Sequence, residues 1–118
     1  MNAILIVGNG NTISGAAAIN VSSGLVMNVG GNNTITTPLN VGGQTALFHT
    51  PLVGQRLSVN GVVSGDAGMA KLGMGALSLG GANTYAGSTT IAEGVVRITS
   101  NSGLGLGVDN SPTHGTTV

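Results

Sequence analysis

The sequence predicts an all-β chain wound as a parallel β-solenoid of about four to five coils, each of roughly 22 residues. Three observations lead there: a composition hostile to helices, short apolar runs separated by Gly/Asn/Ser clusters, and an internal offset near 22 residues. Of 118 residues, 22 are Gly, three are Lys or Arg, three are Asp or Glu, and one Phe and one Tyr are the whole aromatic set. An ordinary domain carries about 7% Gly and about 25% charged residues. Each Gly inside a helix costs about 1 kcal/mol relative to Ala, so frequent Gly argues against helices throughout.

Taken in order, the strand candidates are Ala3 to Val7, Leu25-Val26-Met27-Asn28-Val29, Leu39-Asn40-Val41, Leu57-Ser58-Val59, Ala76-Leu77-Ser78-Leu79 and Val95-Val96-Arg97-Ile98. Val, Ile, Leu and Thr dominate them, and they alternate or are wholly apolar, as short strands with an apolar face do. The Gly/Asn/Ser clusters between them suit turns that need positive φ. Asn60-Gly61 between Leu57-Ser58-Val59 and Val62-Val63 is the one hairpin signal, too little to organise a sandwich or barrel. Sandwiches also usually bury aromatic residues that this chain lacks.

The period comes from Val7-Gly8-Asn9-Gly10-Asn11-Thr12-Ile13, which returns 22 residues later as Val29-Gly30-Gly31-Asn32-Asn33-Thr34-Ile35. Leu79-Gly80-Gly81-Ala82-Asn83-Thr84-Tyr85 repeats it again, 50 residues on, which reads as 28 plus 22 if Leu57 marks the intermediate coil. Ile19-Asn20-Val21 and Leu39-Asn40-Val41 echo each other at an offset of 20. The longer interval places six extra residues in a loop near 48–55, where Pro51 disfavours a central strand. Stacked coils about 4.8 Å apart let small aliphatic residues fill a narrow lumen without aromatics. Asn11, Asn33 and Asn83 either stack into a side-chain amide ladder or simply tolerate left-handed turns. The chain thus divides into degenerate coils over 1–56, a sharper repeat over 57–104, and a partial coil or tail over 105–118, all within one solenoid domain or segment (1–118).

The sharper repeat contains Lys71, Gly73, Gly75, Leu77, Leu79, Gly81, Asn83, Thr84, Tyr85, Gly87, Thr89, Ile91 and Gly94. This spacing, K-x-G-x-G-x-L-x-L followed by G-x-N-T-Y-x-G-x-T-x-I and G, resembles the autotransporter-associated β-strand repeat, also called the passenger-associated transport repeat. About 40 of 118 residues carry the resemblance well, with Leu72 where Thr is usual. It implies a right-handed parallel β-helix from the secreted, surface-exposed passenger of an autotransporter. It also implies that the repeat assists passage through, and folding outside, the outer membrane. From the residues themselves, Gly81 and Gly87 are expected to let the backbone turn tightly on either side of Asn83-Thr84-Tyr85. Tyr85 is expected to cover a coil corner with its hydroxyl in water; a sugar-stacking platform is the alternative.

Composition excludes other classes. Three dispersed cations form no nucleic-acid footprint, and without Cys there is no disulfide frame and no Cys-based zinc site. At 41% hydrophobic residues and a mean hydropathy of +0.40, disorder is a poor reading. No apolar run approaches the ~20 residues of a membrane helix, and an outer-membrane barrel would need aromatic girdles. The N-terminus lacks the pattern of a signal peptide, so an export signal and a translocator barrel are expected outside this chain. Glycoside hydrolysis needs paired carboxylates; Asp66 and Glu93 are 27 residues apart, one coil plus five, and need not share a face. His49 and His114 have no metal-ligand spacing around them. No catalytic, cofactor or metal site is expected. Thr34-Ile35-Thr36 and Thr89-Thr90 only weakly suggest an ice-binding array.

The expected function is therefore a structural stalk or fibre. The alternative is an adhesin whose loop, with Phe48 and His49, contacts a host or matrix ligand, and a polysaccharide-active enzyme comes third. The uncapped ends and near-zero charge suggest either adjoining coils of a longer passenger or end-to-end stacking of copies.

Overall fold

The computed structural model describes residues 3–100 together with Thr116 and Thr117. Among these there is no helix, and the strands are β1 (Ala3–Val7), β2 (Thr12–Ile13), β3 (Ile19–Asn20), β4 (Leu25–Val29), β5 (Asn33–Ile35), β6 (Leu39–Asn40), β7 (Ala46–His49), β8 (Arg56–Val59), β9 (Val63–Ser64), β10 (Met69–Leu72), β11 (Ala76–Leu79), β12 (Thr89–Ile91), β13 (Val95–Ile98) and β14 (Thr116–Thr117). They pair in parallel, each with the strand of the next coil. The orders are β1-β4-β7-β10-β12-β14 in sheet A, β2-β5-β8-β11-β13 in sheet B and β3-β6-β9 in sheet C. Successive coils thus trace a three-sided solenoid of about four turns, and the all-β solenoid read from the sequence is the fold. Beyond the β14 pairing, the partial coil or tail expected over 105–118, with Asp109, Pro112 and His114, lies outside the described residues.

The register explains both the period and its irregularity. Val7 pairs with Val29 and Thr12 with Thr34, the 22-residue offset seen in the sequence, while Ile19 pairs with Leu39 at 20. The division into 28 and 22 residues through Leu57 does not hold: Leu57 pairs with Asn33 and with Leu77, and Leu79 pairs with Val59. The Leu79-Gly80-Gly81 run therefore follows sheet B, whereas Val29-Gly30-Gly31 follows sheet A; similar turn residues serve two different corners. The extra length falls in residues 50–55 between β7 and β8, where the equivalent corners of the flanking coils use only 30–32 and 73–75. Asn60-Gly61 joins a sheet B strand to a sheet C strand, so it is a corner and not a hairpin.

Alternation sets what enters the lumen. Inward columns run Ile4–Val26–Phe48–Lys71 in sheet A, Ile35–Val59–Leu79 in sheet B and Leu39–Val63 in sheet C, all buried. Each fully buried aliphatic or Phe side chain contributes about 1.5–3 kcal/mol by leaving water, which compensates for a core with few aromatics. Outward, sheet B shows hydroxyls in register (Thr12, Thr34, Ser58, Ser78) and sheet C shows Asn20, Asn40 and Ser64. Sheet A differs, with Val7 beside Val29 and further apolar columns on its outer side.

Candidate functional site

The residues singled out in the sequence gather in the coil built from β10 and β11 and the start of the next one. Gly81 and Gly87 are required there, but not for tight turning: neither has positive φ. A Cβ on Gly81 would lie 2.4 Å from the Gly61 carbonyl oxygen, and one on Gly87 would lie 2.5 Å from the Gly68 nitrogen. Both are glycine because the coil beneath comes too close for a side chain. Gly94 combines the two demands, with φ of +76° and a hypothetical Cβ 2.3 Å from the Gly75 carbonyl oxygen.

Between these glycines, Asn83, Thr84 and Tyr85 continue the ladder of sheet C. Thr84 N–H donates to the Val63 carbonyl at 2.9 Å and Ala86 N–H to the Gly65 carbonyl at 3.1 Å. Asn83 is buried, and its Oδ1 accepts the Val63 N–H at 2.8 Å. Tyr85 corrects the sequence expectation. Its ring is wholly buried, above Gly65, and its hydroxyl bonds Thr89 Oγ1 inside the lumen, not water. Burial pushes the Tyr85 phenol above its ordinary range, with the Thr89 hydrogen bond opposing the shift. A buried ring offers no platform to a sugar. Thr89 is likewise buried, Thr84 is exposed and Ile91 is half-buried in β12.

Lys71 carried no role in the sequence reading beyond its place in the motif. It lies on the inward face of β10, wholly buried, in the column of Val26 and Phe48. Its Nζ donates to the carbonyls of Leu72 at 2.6 Å and Gly73 at 2.8 Å. A Cβ on Gly94 would lie 2.9 Å from that nitrogen, so the coil above closes over the amine. Desolvation lowers the Lys71 pKa, and the nearby Glu93 carboxylate partly opposes the shift. The signal for this was present: one Lys at an inward position of the apolar strand Met69-Ala70-Lys71-Leu72.

Asn side chains do the equivalent work at the same corner of the earlier coils. Asn33 Oδ1 accepts from Asn11 N–H at 2.8 Å, and its Nδ2 donates to the Gly8 carbonyl and to Asn28 Oδ1. Asn9 Oδ1 accepts from Asn32 N–H, and Asn32 Oδ1 from Arg56 N–H, linking three coils. Asn11 and Asn33 therefore meet, but Asn83 belongs to the other corner and joins no common ladder with them.

The proposed binding pair also moves. Phe48 is wholly buried in β7 and cannot contact a ligand, and His49 is half-buried on the outer face of the same strand. The corner loop begins at residue 50 and exposes Val53 instead. With Arg56, Met74 and Val95 it borders a groove of about 500 Å³. Asp66 follows sheet C and Glu93 follows sheet A, so these exposed carboxylates stand on different corners. Among the described residues no three His, Asp or Glu side chains gather as a metal would require.

Comparisons with known proteins agree with this geometry. Residues 69–98 match the family described as Passenger-associated-transport-repeat. The chain is also 33% identical, over 98 residues and 79% of its length, to Adhesin BmaC autotransporter of Brucella suis biovar 1 (strain 1330). It spans only 3% of that protein. No solved structure matches the chain. With glycines and an Asn83 that answer to a neighbouring coil and a Lys71 that serves the corner of its own, residues 69–98 are identified by the family match as a passenger-associated transport repeat.

Proposed function

We propose that the chain is a structural segment of a cell-surface or secreted passenger, a stalk whose repeat helps the polypeptide fold as it leaves the outer membrane. The observation that carries this reading is the direction in which the motif residues point. Gly81, Asn83, Gly87 and Gly94 each meet backbone of the preceding coil, so these motif residues serve stacking. Coils that contact only their neighbours can fold one after another, which suits a chain emerging from a pore. The test is surface display of the 118-residue chain fused between a signal peptide and a translocator barrel. Gly94→Ala and an equally destabilising change in an earlier coil, such as Ile35→Ala, are compared for protease-accessible material. A larger loss of display for Gly94→Ala supports a special part for the repeat; equal losses leave it a plain stalk.

One observation favours a second reading, binding, in keeping with the adhesin name of the relative. The loop over 50–55 breaks the coil outline and, with Asn32, Arg56, Met74 and Val95, lines a groove of mixed polar and apolar character. Val53→Asp leaves the lumen intact and is expected to lower attachment to host cells or matrix if the groove binds. Unchanged attachment removes this reading.

A further inference from the structure

Sheet A is mainly apolar on its outer side as well as in its lumen-facing columns. Its inward residues, the buried Asn28, Lys71 and Thr89 among them, fill the lumen, while its outer columns, Ala3–Leu25–Leu47–Ala70–Thr90 and Leu5–Met27–His49–Leu72, are apolar apart from His49 and Thr90. Leu5 is 62% exposed, and the principal contacts of each strand are with its stacked neighbours. Parallel strands that read as continuous apolar runs are ordinarily covered on both faces. Sheets B and C, built from the same coils, turn hydroxyls and amides outward in register. The apolar face is thus a property of one side of the solenoid and not of the chain's general composition.

We propose that the outer face of sheet A docks, weakly and reversibly, against the same face of a second copy of this chain. Three features select this occupant. The face carries no charge and the chain has a formal net charge of zero, so two copies meet without repulsion. A sheet face with in-register columns suits an isologous two-fold contact, with the sheets about 10 Å apart as in sandwiches. A lipid surface fits poorly, because interfacial binding uses Trp or Tyr with Lys or Arg, and none of these lies on the face. Area sets the strength: strands of four or five residues over four coils give about 15 × 19 Å, roughly 290 Å² a side. Both sides together hide on the order of 600 Å² of sheet, below the ~1,200 Å² of stable specific pairs. One chain therefore pairs weakly, and the contact grows with every coil added to the side.

This inference goes beyond the stalk reading and does not depend on it. Sedimentation velocity on the 118-residue chain, from low micromolar to about 1 mM, tests it in the range expected for a small interface. Concentration-dependent dimers are expected, weakened at least tenfold by Leu47→Asp at the centre of the face and unchanged by Ser58→Asp on sheet B. Circular dichroism verifies that each variant folds, and His49→Glu replaces Leu47→Asp if the latter does not. Three results overturn the proposal: a monomer throughout, association that Leu47→Asp leaves unaltered (as end-to-end stacking would), or binding to phosphatidylcholine vesicles without self-association.

Discussion

Replacing Lys71 by Met tests whether a buried amine can hold a solenoid corner together. Met keeps the length of the side chain and removes its donors. Of the two carbonyls Lys71 serves, Leu72 O also accepts the Thr50 N–H at 3.1 Å, so Gly73 O is the one left without this partner. Hydrogen bonds from a charged donor contribute about 1.5–3 kcal/mol, and an orphaned buried acceptor costs about 1–3 kcal/mol. Against this, the variant no longer has to desolvate an ammonium. The net expectation is a loss of about 1–2 kcal/mol, or about 4–8 °C in Tm for a chain of this size. Urea unfolding followed by circular dichroism measures the loss, and hydrogen exchange should place it at residues 73–75 and 92–95. The pH dependence adds a sign. Because the folded pKa of Lys71 is lowered, the unfolded chain binds more protons between that value and the ordinary ~10.4. Wild type should therefore gain on Lys71→Met as pH rises through that interval. If Lys71→Met equals or exceeds wild type in stability across pH, the amine does not bridge the corner and the reasoning is wrong.

Gly94→Ala combines a left-handed φ, about 1–2 kcal/mol for a residue with a Cβ, with backbone overlap, so at least about 2 kcal/mol is expected from urea melts. Phe48→Ala removes the bulkiest apolar side chain of the sheet A column and should cost about 3–5 kcal/mol, with unfolding and not lost binding as its primary effect in any attachment assay. Thr50→Val removes a buried hydroxyl that has no hydrogen-bond partner; a Tm unchanged or higher by the equivalent of about 1 kcal/mol is expected, and a clear loss would show that the hydroxyl is satisfied.

The fold was legible because a solenoid writes its period into the chain. The pairing of Val7 with Val29, and of Ile19 with Leu39, reproduces offsets visible in the sequence. What misled was that a three-sided coil has three corners and all of them use Gly and Asn. Matching Val29-Gly30-Gly31 to Leu79-Gly80-Gly81 joined two different corners and moved the extra loop back over Phe48 and His49. The alternation Ala46-Leu47-Phe48-His49 already places Phe48 opposite Leu47, but Pro51 nearby drew the residue into the loop. Tyr85 was misread for a related reason: which side of a short irregular segment faces the lumen depends on the coil below. Here the backbone bonds of Thr84 to Val63 and Ala86 to Gly65 turn the residue between them inward.

Lys71 and the asparagines of the earlier coils solve one problem in two ways. At each corner after sheet A the chain turns, and backbone groups leave the ladder inside or beside a dry lumen, where an unpaired polar atom is costly. The first coils fill this need with amides that reach across coils: Asn33 serves Gly8 and Asn11, and Asn9 serves Asn32. The later coils use one amine from within the coil and glycines that let the next coil descend onto it. The amine solution fixes Lys71, Gly73 and Gly94 together, because Gly94 closes over the nitrogen and Gly73 both turns at φ +86° and presents the carbonyl.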